Sequence, residues 1–208
     1  MNNIHNIFRR ISPIFRRKRM ALFFSMLKPD AQTRLLDLGG LPGTWRDQPG
    51  EFPVTLVNLQ PHAAPEARFT SIQGDALRLP FSDQSFDIVF SNSVIEHLES
   101  WENQQLFARE AARLAPRLWI QTPARWFPIE PHLLAPLVHY LPKRLQVRLV
   151  RWCTPWGWFQ RPDPRRVRSF LASIRLLNHR EMERLFPGCQ IIRERFLGVT
   201  KSYVAVKC

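Results

Sequence analysis

The sequence contains few cysteines: only Cys153, Cys189 and Cys208 occur, and they lie far apart along the chain. An odd number at this spacing predicts neither a disulfide framework nor a cysteine metal site, and it favours a reducing compartment such as the cytoplasm. Long apolar runs are also missing, since no segment approaches the roughly 18–20 residues that a membrane-spanning helix needs. Internal repeats and low-complexity tracts do not occur either. We therefore expect a globular protein that does not span a membrane.

Acidic residues are scarce relative to basic ones, because 17 acidic and 30 basic side chains give a formal net charge of +13 over 208 residues. Such a surplus favours contact with an anionic partner, such as nucleic acid, a phospholipid surface or a phosphorylated substrate. A basic surface without any such partner explains the same charge.

The first 29 residues carry no acidic side chain and seven basic ones. Apolar residues recur there at helical spacing, which is typical of a helix on an anionic membrane surface; they are Ile4, Ile7, Phe8, Ile11 and Phe15. Packing of this helix on the sheet is one alternative, and an Arg-rich mitochondrial transit peptide is another. We separate a basic amphipathic helical arm over residues 1–33 from a domain over residues 34–208.

Apolar segments and turns alternate from residue 34 onward, as in an α/β fold. Five buried strands are predicted, at Leu35–Leu38, Val54–Leu59, Phe69–Ile72, Phe86–Ser91 and Leu118–Thr122. A helix is predicted over Trp101–Leu114, with Ser100 as its N-cap.

The C-terminal part of the sequence first breaks this alternation and then resumes it. Prolines and tryptophans over about residues 123–170 predict an insertion of short helices and loops. A capping box at Asn178 then opens a further helix. Gln190–Phe196 and Ser202–Lys207, separated by Gly198, are predicted to be an antiparallel pair at the sheet edge.

A glycine-bearing turn follows the first strand, with Asp37 near the end of the strand and Gly39, Gly40 and Gly43 beyond it. Glycine permits positive φ and close approach to the backbone. Open α/β sheets bind ligands at the carboxyl ends of their strands, so this turn is the first candidate site. The G-x-G-x-x-G pattern is missing, which argues against a nicotinamide dinucleotide.

Three motifs occur in one order: L-L-D-L-G-G-L-P-G at Leu35–Gly43, G-D-A-L-R-L-P-F at Gly74–Phe81 and F-D-I-V-F-S-N-S-V-I-E-H-L at Phe86–Leu98. With them the sequence resembles the class I S-adenosylmethionine-dependent methyltransferases, particularly short type 11-like methyltransferase domains. The resemblance covers roughly residues 33–122, and more loosely the last 30 residues. It implies a Rossmann-like, doubly wound, mostly parallel seven-stranded sheet with an antiparallel C-terminal hairpin.

The resemblance also implies S-adenosylmethionine as the cofactor and assigns its contacts. Asp37 would face the methionine end, Asn58 the ribose, and Asp75 with the Ala76 amide the adenine. Asn92 and Ser93 would lie at the reactive end of the cofactor. The implied cofactor-binding residues are Asp37, Gly39, Gly40, Gly43, Asn58, Asp75, Ala76, Asn92 and Ser93.

The sequence departs from the family pattern in three ways. Leu41 replaces the middle glycine of the first motif, which the backbone tolerates only if its φ is negative. Asn58 replaces an acidic residue, so its bond to a ribose hydroxyl would lack charge assistance. The connections Leu41–Pro53 and Gln60–Arg68 are too short for full-length helices. Trp45 is predicted to be a core anchor, with a lid over the cofactor as the alternative.

Three residues are candidate bases for a hydroxyl acceptor: His97, Glu130 and His132. Glu130 and His132 follow the fifth strand, whose carboxyl end would border the acceptor pocket. Structural roles for all three are the alternative. Aromatic residues of the insertion either line a cleft or pack together, and the basic run Arg161–Arg168 either binds anionic headgroups or faces solvent.

We therefore predict a cytoplasmic S-adenosylmethionine-dependent methyltransferase that methylates an oxygen of a small-molecule or lipid- or sugar-linked acceptor without a metal. Its basic arm would place it on the inner face of a membrane. A nucleic-acid methyltransferase is one alternative, although the N/D-P-P-Y/F motif of base-methylating enzymes is missing. A catalytically inactive methyltransferase-like binding protein is another, motivated by Leu41 and Asn58.

Overall fold

A computed structural model describes residues 3–60, 63–64, 66–130 and 135–208, with the backbone alone for residues 3–13, 130, 135, 155 and 156. The strands are β1 (Leu35–Leu38), β2 (Val54–Asn58), β3 (Phe69–Gln73), β4 (Ile88–Asn92), β5 (Arg117–Pro123), β6 (Ile129–Glu130), β7 (Ala135–Pro136), β8 (Gln190–Phe196) and β9 (Val199–Lys207). The helices are α1 (Asn3–Leu27), α2 (Pro42–Trp45), α3 (Trp101–Leu114), α4 (Lys143–Cys153), α5 (Pro155–Gln160), α6 (Pro164–Ala172) and α7 (His179–Leu185). Short 3₁₀ turns cover Ile95–His97 and Val138–Tyr140.

Within the described residues, seven strands form one sheet in the order β3-β2-β1-β4-β5-β9-β8. Strands β1 to β5 pair in parallel, whereas β9 runs antiparallel to both β5 and β8. The register sets Leu38 opposite Val57 and Ser91, so β1, β2 and β4 end at the same edge. The predicted mostly parallel, doubly wound sheet with an antiparallel C-terminal hairpin is confirmed.

The predicted elements agree closely with the observed ones. The helix Trp101–Leu114 has the predicted bounds, and the Ser100 side chain accepts a hydrogen bond from the Asn103 amide. Asn178 and Glu181 form the predicted capping box. The fourth strand begins at Ile88 rather than Phe86, and the last strand begins three residues earlier than predicted, at Val199.

The early connections are short, as predicted. Between β1 and β2 the only helix is the four-residue α2, and the described part of the segment between β2 and β3 contains no helix. The sheet therefore has unequal cover on its two faces. One face packs on α3 and α7, and the other packs on the C-terminal half of α1 and on Trp45.

The C-terminal half of α1 belongs to the core of the domain. Phe23 is fully buried, and its ring meets the rings of Trp45, Phe90 and Trp119 edge to face at centroid distances of 5.7, 5.4 and 5.5 Å. This half of the helix therefore packs on the sheet. Phe15, the last residue of the predicted membrane-facing stripe, packs instead on Phe196 of β8 with the ring centroids 5.9 Å apart. The side chains of Ile4, Ile7, Phe8 and Ile11 lie outside the described residues, so their membrane contact stays a prediction.

The segment after β5 forms the predicted insertion of short elements: the β6–β7 hairpin and helices α4, α5 and α6. It has a small core of its own, formed by Val138, Val150, Val167 and Leu171. Across the described residues, no helix has the length and apolar character to cross a membrane.

A buried ion pair ties α1 to the far edge of the sheet. Arg19 is only 8% exposed, and its Nε and Nη2 donate to the two carboxylate oxygens of Glu194 on β8 at 2.8 and 2.7 Å. Its Nη1 donates to Oδ1 of Asn92 at the end of β4, and the Ser202 hydroxyl also donates to Glu194. Three elements distant in sequence are thereby joined at one side chain.

We predict that Arg19→Ala lowers the free energy of unfolding by about 3–5 kcal/mol, because it leaves a buried carboxylate without its charged partner. Urea denaturation measures this directly. Arg17→Ala removes an exposed arginine from the same helix and is the matched control, with an expected change within about 0.5 kcal/mol. Equal, small effects of the two substitutions would contradict a stabilising role of the ion pair between Arg19 and Glu194.

Candidate functional site

The turn after β1 requires glycine at two positions. Gly39 has a φ of +79°, and a Cβ atom there would overlap Cγ2 of Val94. A Cβ atom on Gly40 would overlap the Asp37 carboxylate. Gly43 lies in α2, and a Cβ atom there would meet nothing within 4 Å, so the structure does not require glycine at that position.

Leu41 occupies the turn without backbone strain. Its φ of −122° and ψ of 146° are extended, which meets the condition under which leucine can replace the family's glycine. Its side chain is 48% exposed, and Pro42 begins α2 directly after it. The turn is thus rebuilt around the leucine.

Asp37 is turned into the core. It is 1% exposed, and its Oδ2 accepts a hydrogen bond of 2.7 Å from Nε1 of Trp45. Burial raises the pKa of Asp37 to about 7, and the hydrogen bond from Trp45 opposes part of this shift. Trp45 is itself buried, which confirms it as a core anchor. The visible role of Asp37 is to hold α2 against β1, and its contact with a methionine end stays a prediction.

Asn58, at the end of β2, holds the same turn from the other side. Its Nδ2 donates to the Gly40 carbonyl oxygen at 2.7 Å. The residue replaces a carboxylate of the family pattern, and a carboxylate could not donate this bond. Asn58 therefore makes a hydrogen bond to the rebuilt turn that the acidic residue of the family could not make.

The remaining predicted cofactor residues follow β3 and β4. Asp75 is exposed, and its Oδ1 accepts from the Leu77 amide at 3.0 Å, while Ala76 beside it is partly buried. Ser93 has a φ of +58°, and its hydroxyl donates to Gln121 at 2.9 Å. Together with the turn and Asn58, these residues lie at the carboxyl ends of four neighbouring strands.

The predicted acceptor-side bases are placed only in part. His97 is exposed at the end of the first 3₁₀ turn. Glu130 lies in β6, but its side chain is outside the described residues, and His132 is outside them entirely. Their roles stay predictions.

A cavity of about 370 Å³ lies between the insertion and the segment before α7. Trp126, Tyr140 and Phe170 contribute aromatic walls, with the first two ring centroids 5.8 Å apart. Its basic side chains are Arg125, Lys143 and Arg175. Aromatic walls with a few charged groups are typical of a small-molecule site. Arg175 is ion-paired with Glu181 at 2.6 Å, so Arg125 and Lys143 are the basic groups of the cavity that would suit an anionic ligand.

Comparison with known proteins gives a match to the family described as "Methyltransferase domain" over residues 39–116. This segment contains the turn after β1, the motif Gly74–Phe81 and β4. No significant match is found among curated proteins. The match covers 78 of the 208 residues, and together with the strand order of the sheet it supports a class I S-adenosylmethionine-dependent methyltransferase.

Solved structures share the methyltransferase fold at low sequence identity. One chain of a complex between the Trm112 methyltransferase activator and a proposed methyltransferase from Haloferax volcanii aligns with a TM-score of 0.56 and 13% identity, over 96% of this chain and 92% of that one. Phosphoethanolamine N-methyltransferase 2 from Haemonchus contortus, solved with phosphomonomethylethanolamine and S-adenosylhomocysteine, aligns with a TM-score of 0.56 and 18% identity, over 85% and 39%.

A third similar structure is a proposed sarcosine dimethylglycine methyltransferase from Galdieria sulphuraria, with 21% identity and a TM-score of 0.41. The alignment covers 52% of this chain and 47% of that one, so the chain spans about half the length of this relative.

Sequence reasoning missed Glu96, a fully buried acidic residue of the matched segment. Glu96 is fully buried next to the ends of β4 and β5, where its Oε2 accepts from the Thr122 hydroxyl at 3.0 Å. Its backbone oxygen accepts from the Arg175 amide at 2.7 Å, which joins it to the cavity wall. The available signal was an acidic side chain directly after the apolar pair Val94 and Ile95.

The buried Asp37 predicts a pH dependence of stability. The carboxyl group ionises near pH 3.9 in the unfolded chain and near pH 7 in the fold, so between these values the folded state holds one more proton. Stability therefore falls as pH rises through this window, by on the order of 1 kcal/mol per pH unit.

Asp37→Asn should remove this contribution, because its amide oxygen still accepts from Trp45 and carries no charge. We expect the stability of the variant relative to the unsubstituted protein to rise from about pH 4 to about pH 7 and then to level off. Urea denaturation across this range measures the difference in free energy of unfolding between the two proteins. The contributions of the other titrating groups are the same in both proteins and cancel in this difference. A difference that does not change with pH would contradict the burial of an ionisable group here.

Proposed function

We propose that the chain transfers the methyl group of S-adenosylmethionine to an oxygen of a small-molecule or lipid- or sugar-linked acceptor. The observation that supports this most is the position of four groups at the carboxyl ends of four neighbouring strands. They are the rebuilt glycine turn, Asn58, Asp75 and Asn92. Trp126, which follows β5, borders the cavity that we assign to the acceptor.

The residues at the sheet edge fit the polar groups of the cofactor. The amide oxygen of Asn58 would accept from a ribose hydroxyl while its nitrogen holds Gly40. Asp75 is exposed, and its second carboxylate oxygen would accept from the adenine amine. The backbone at Gly39 and Gly40 would lie along the methionine part. When bound, the cofactor would supply an electrophilic methyl group on its sulfonium, with the neutral thioether S-adenosylhomocysteine as the leaving group.

The acceptor would lie in the cavity, oriented by its basic and aromatic side chains. A single displacement gains much of its rate from positioning, which the aromatic walls of the cavity would provide. A hydroxyl acceptor also needs a group that takes its proton. Glu130, His132 and His97 remain the proposed bases, and His139 joins them because it lines the cavity.

Methyl transfer is tested with labelled S-adenosylmethionine and a fractionated cell extract. We expect the label in the small-molecule or lipid fraction and saturable binding of S-adenosylhomocysteine in a calorimetric titration. Label in nucleic acid would support the alternative of a nucleic-acid methyltransferase. Binding without any transfer would support an inactive binding protein, and no binding at all would contradict the proposal.

Asn58→Asp tests whether the asparagine has become part of the turn. The substitution restores the acidic residue of the family pattern but removes the donor to the Gly40 carbonyl and sets a carboxylate against it. We expect S-adenosylhomocysteine to bind about tenfold more weakly, which corresponds to one lost hydrogen bond. Calorimetric titration measures this affinity.

Leu41→Gly is the matched control, since it also restores the family residue but at an exposed position with extended backbone. Its affinity is expected to stay within about threefold, because a single glycine in a loop changes the free energy by less than about 1 kcal/mol. Tighter binding by Asn58→Asp would contradict this role of Asn58 in holding the turn. It would show that the asparagine weakens the ribose site.

A further inference from the structure

The insertion carries an exposed surface that combines basic and large apolar side chains, which we call the basic aromatic face. It consists of Arg144, Leu145, Arg148, Arg151, Trp152, Trp158, Phe159 and Arg168. We propose that this face docks on the surface of an anionic phospholipid bilayer.

The apolar half of the face is unusually exposed. Trp152 is 72% exposed, Phe159 is 75% exposed and Trp158 is 46% exposed. Soluble proteins seldom leave adjoining large apolar side chains in water unless the surface has a binding role. Tryptophan in particular is enriched at membrane–water interfaces, where its ring lies at the level of the headgroups.

Direct packing of α5 on α4 brings these aromatic residues onto one surface. The Trp158 ring nitrogen donates to the Trp152 backbone oxygen, and a Cβ atom on Gly157 would overlap the Val150 carbonyl oxygen. The two helices are therefore in contact at the glycine. Trp152 and Trp158 are therefore neighbours, and the exposed Phe159 follows Trp158 in α5.

The basic half of the face follows one side of α4. Arg144, Arg148 and Arg151 recur at intervals of four and three residues, so they share a helix face, and they line a groove that Arg168 of α6 closes. The Arg151 guanidinium lies 5.8 Å from the Trp152 ring, so the two halves adjoin. Helices α4, α5 and α6 contain no acidic residue.

This combination favours a lipid surface over the other anionic partners. Basic side chains beside tryptophan, phenylalanine and leucine are typical of helices that lie in the bilayer interface. Each basic residue near an anionic leaflet adds electrostatic attraction that salt screens. Leu145 offers a nucleic acid no charge, no hydrogen bond and no stacking face, whereas the acyl boundary accepts it.

Docking would place the acceptor cavity at the level of the headgroups. Lys143 lines both the groove between α4 and α6 and the cavity, so the two spaces adjoin at this residue. A lipid-linked acceptor could then enter the cavity without leaving the bilayer surface. This consequence rests on the proposed methyl transfer, whereas the docking itself does not.

Vesicle flotation with the full chain tests the docking. We expect binding to vesicles of phosphatidylcholine and phosphatidylglycerol, weak binding to phosphatidylcholine alone, and release by added salt. Arg148→Glu combined with Arg151→Glu should reduce binding roughly tenfold or more. Trp152→Ala combined with Phe159→Ala should reduce it about tenfold while leaving the salt dependence.

Matched controls separate this face from general basicity and general stickiness. Arg193→Glu with Arg195→Glu changes the same charge at exposed positions of β8, and Leu197→Ala removes an exposed apolar side chain elsewhere. Both should bind vesicles as the unsubstituted protein does. Since all these positions are exposed, every variant should also keep its affinity for S-adenosylhomocysteine, a measurement made without lipid that tests the cofactor site separately.

Four outcomes would overturn the proposal. The first is no vesicle binding by the unsubstituted protein, and the second is an equal loss in the β8 control. The third is undiminished binding by the double variants of the basic aromatic face, together with loss of binding on Arg9→Glu combined with Arg10→Glu. This result would assign the membrane contact to α1. The fourth is displacement of the protein from vesicles by single-stranded RNA, with RNA binding lost in the same double variants. This result would assign the face to nucleic acid.

Discussion

The hydrogen bond from Trp45 to the buried Asp37 closes the turn on which the candidate site depends. The connection after β1 has room only for the four-residue α2, so a long helix cannot support the turn. The Trp45 ring takes this role by packing on Phe90 at 4.9 Å and on Phe23 of α1 at 5.7 Å. The turn, the N-terminal helix and the sheet thus form one packing unit, and Asn58 holds the turn from the opposite side.

Much of the fold could be predicted from the sequence, because its signals are local. Apolar segments of strand length, the Ser100 cap and the capping box at Asn178 depend on residues a few positions apart, and each is found where it was expected. The same holds for the backbone at Leu41, whose negative φ follows from steric rules alone. The mostly parallel, doubly wound sheet with its antiparallel hairpin followed from the resemblance to a family.

The side-chain partners could not be predicted, because they depend on tertiary contacts. Arg19 and Glu194 are 175 positions apart, and nothing in either local sequence indicates the pair. The inward direction of Asp37 depends on where Trp45 packs. The cavity is assembled from residues between 125 and 176, so the proline- and tryptophan-rich composition indicated an insertion but not its shape.

The most direct test of the rebuilt turn as a cofactor site is a crystal structure with S-adenosylhomocysteine. We expect the ribose beside Asn58, the adenine at Asp75 and the homocysteine part along the backbone at Gly39 and Gly40. A nucleoside bound elsewhere, for example between Trp126 and Arg175, or no density at a saturating concentration, would contradict it.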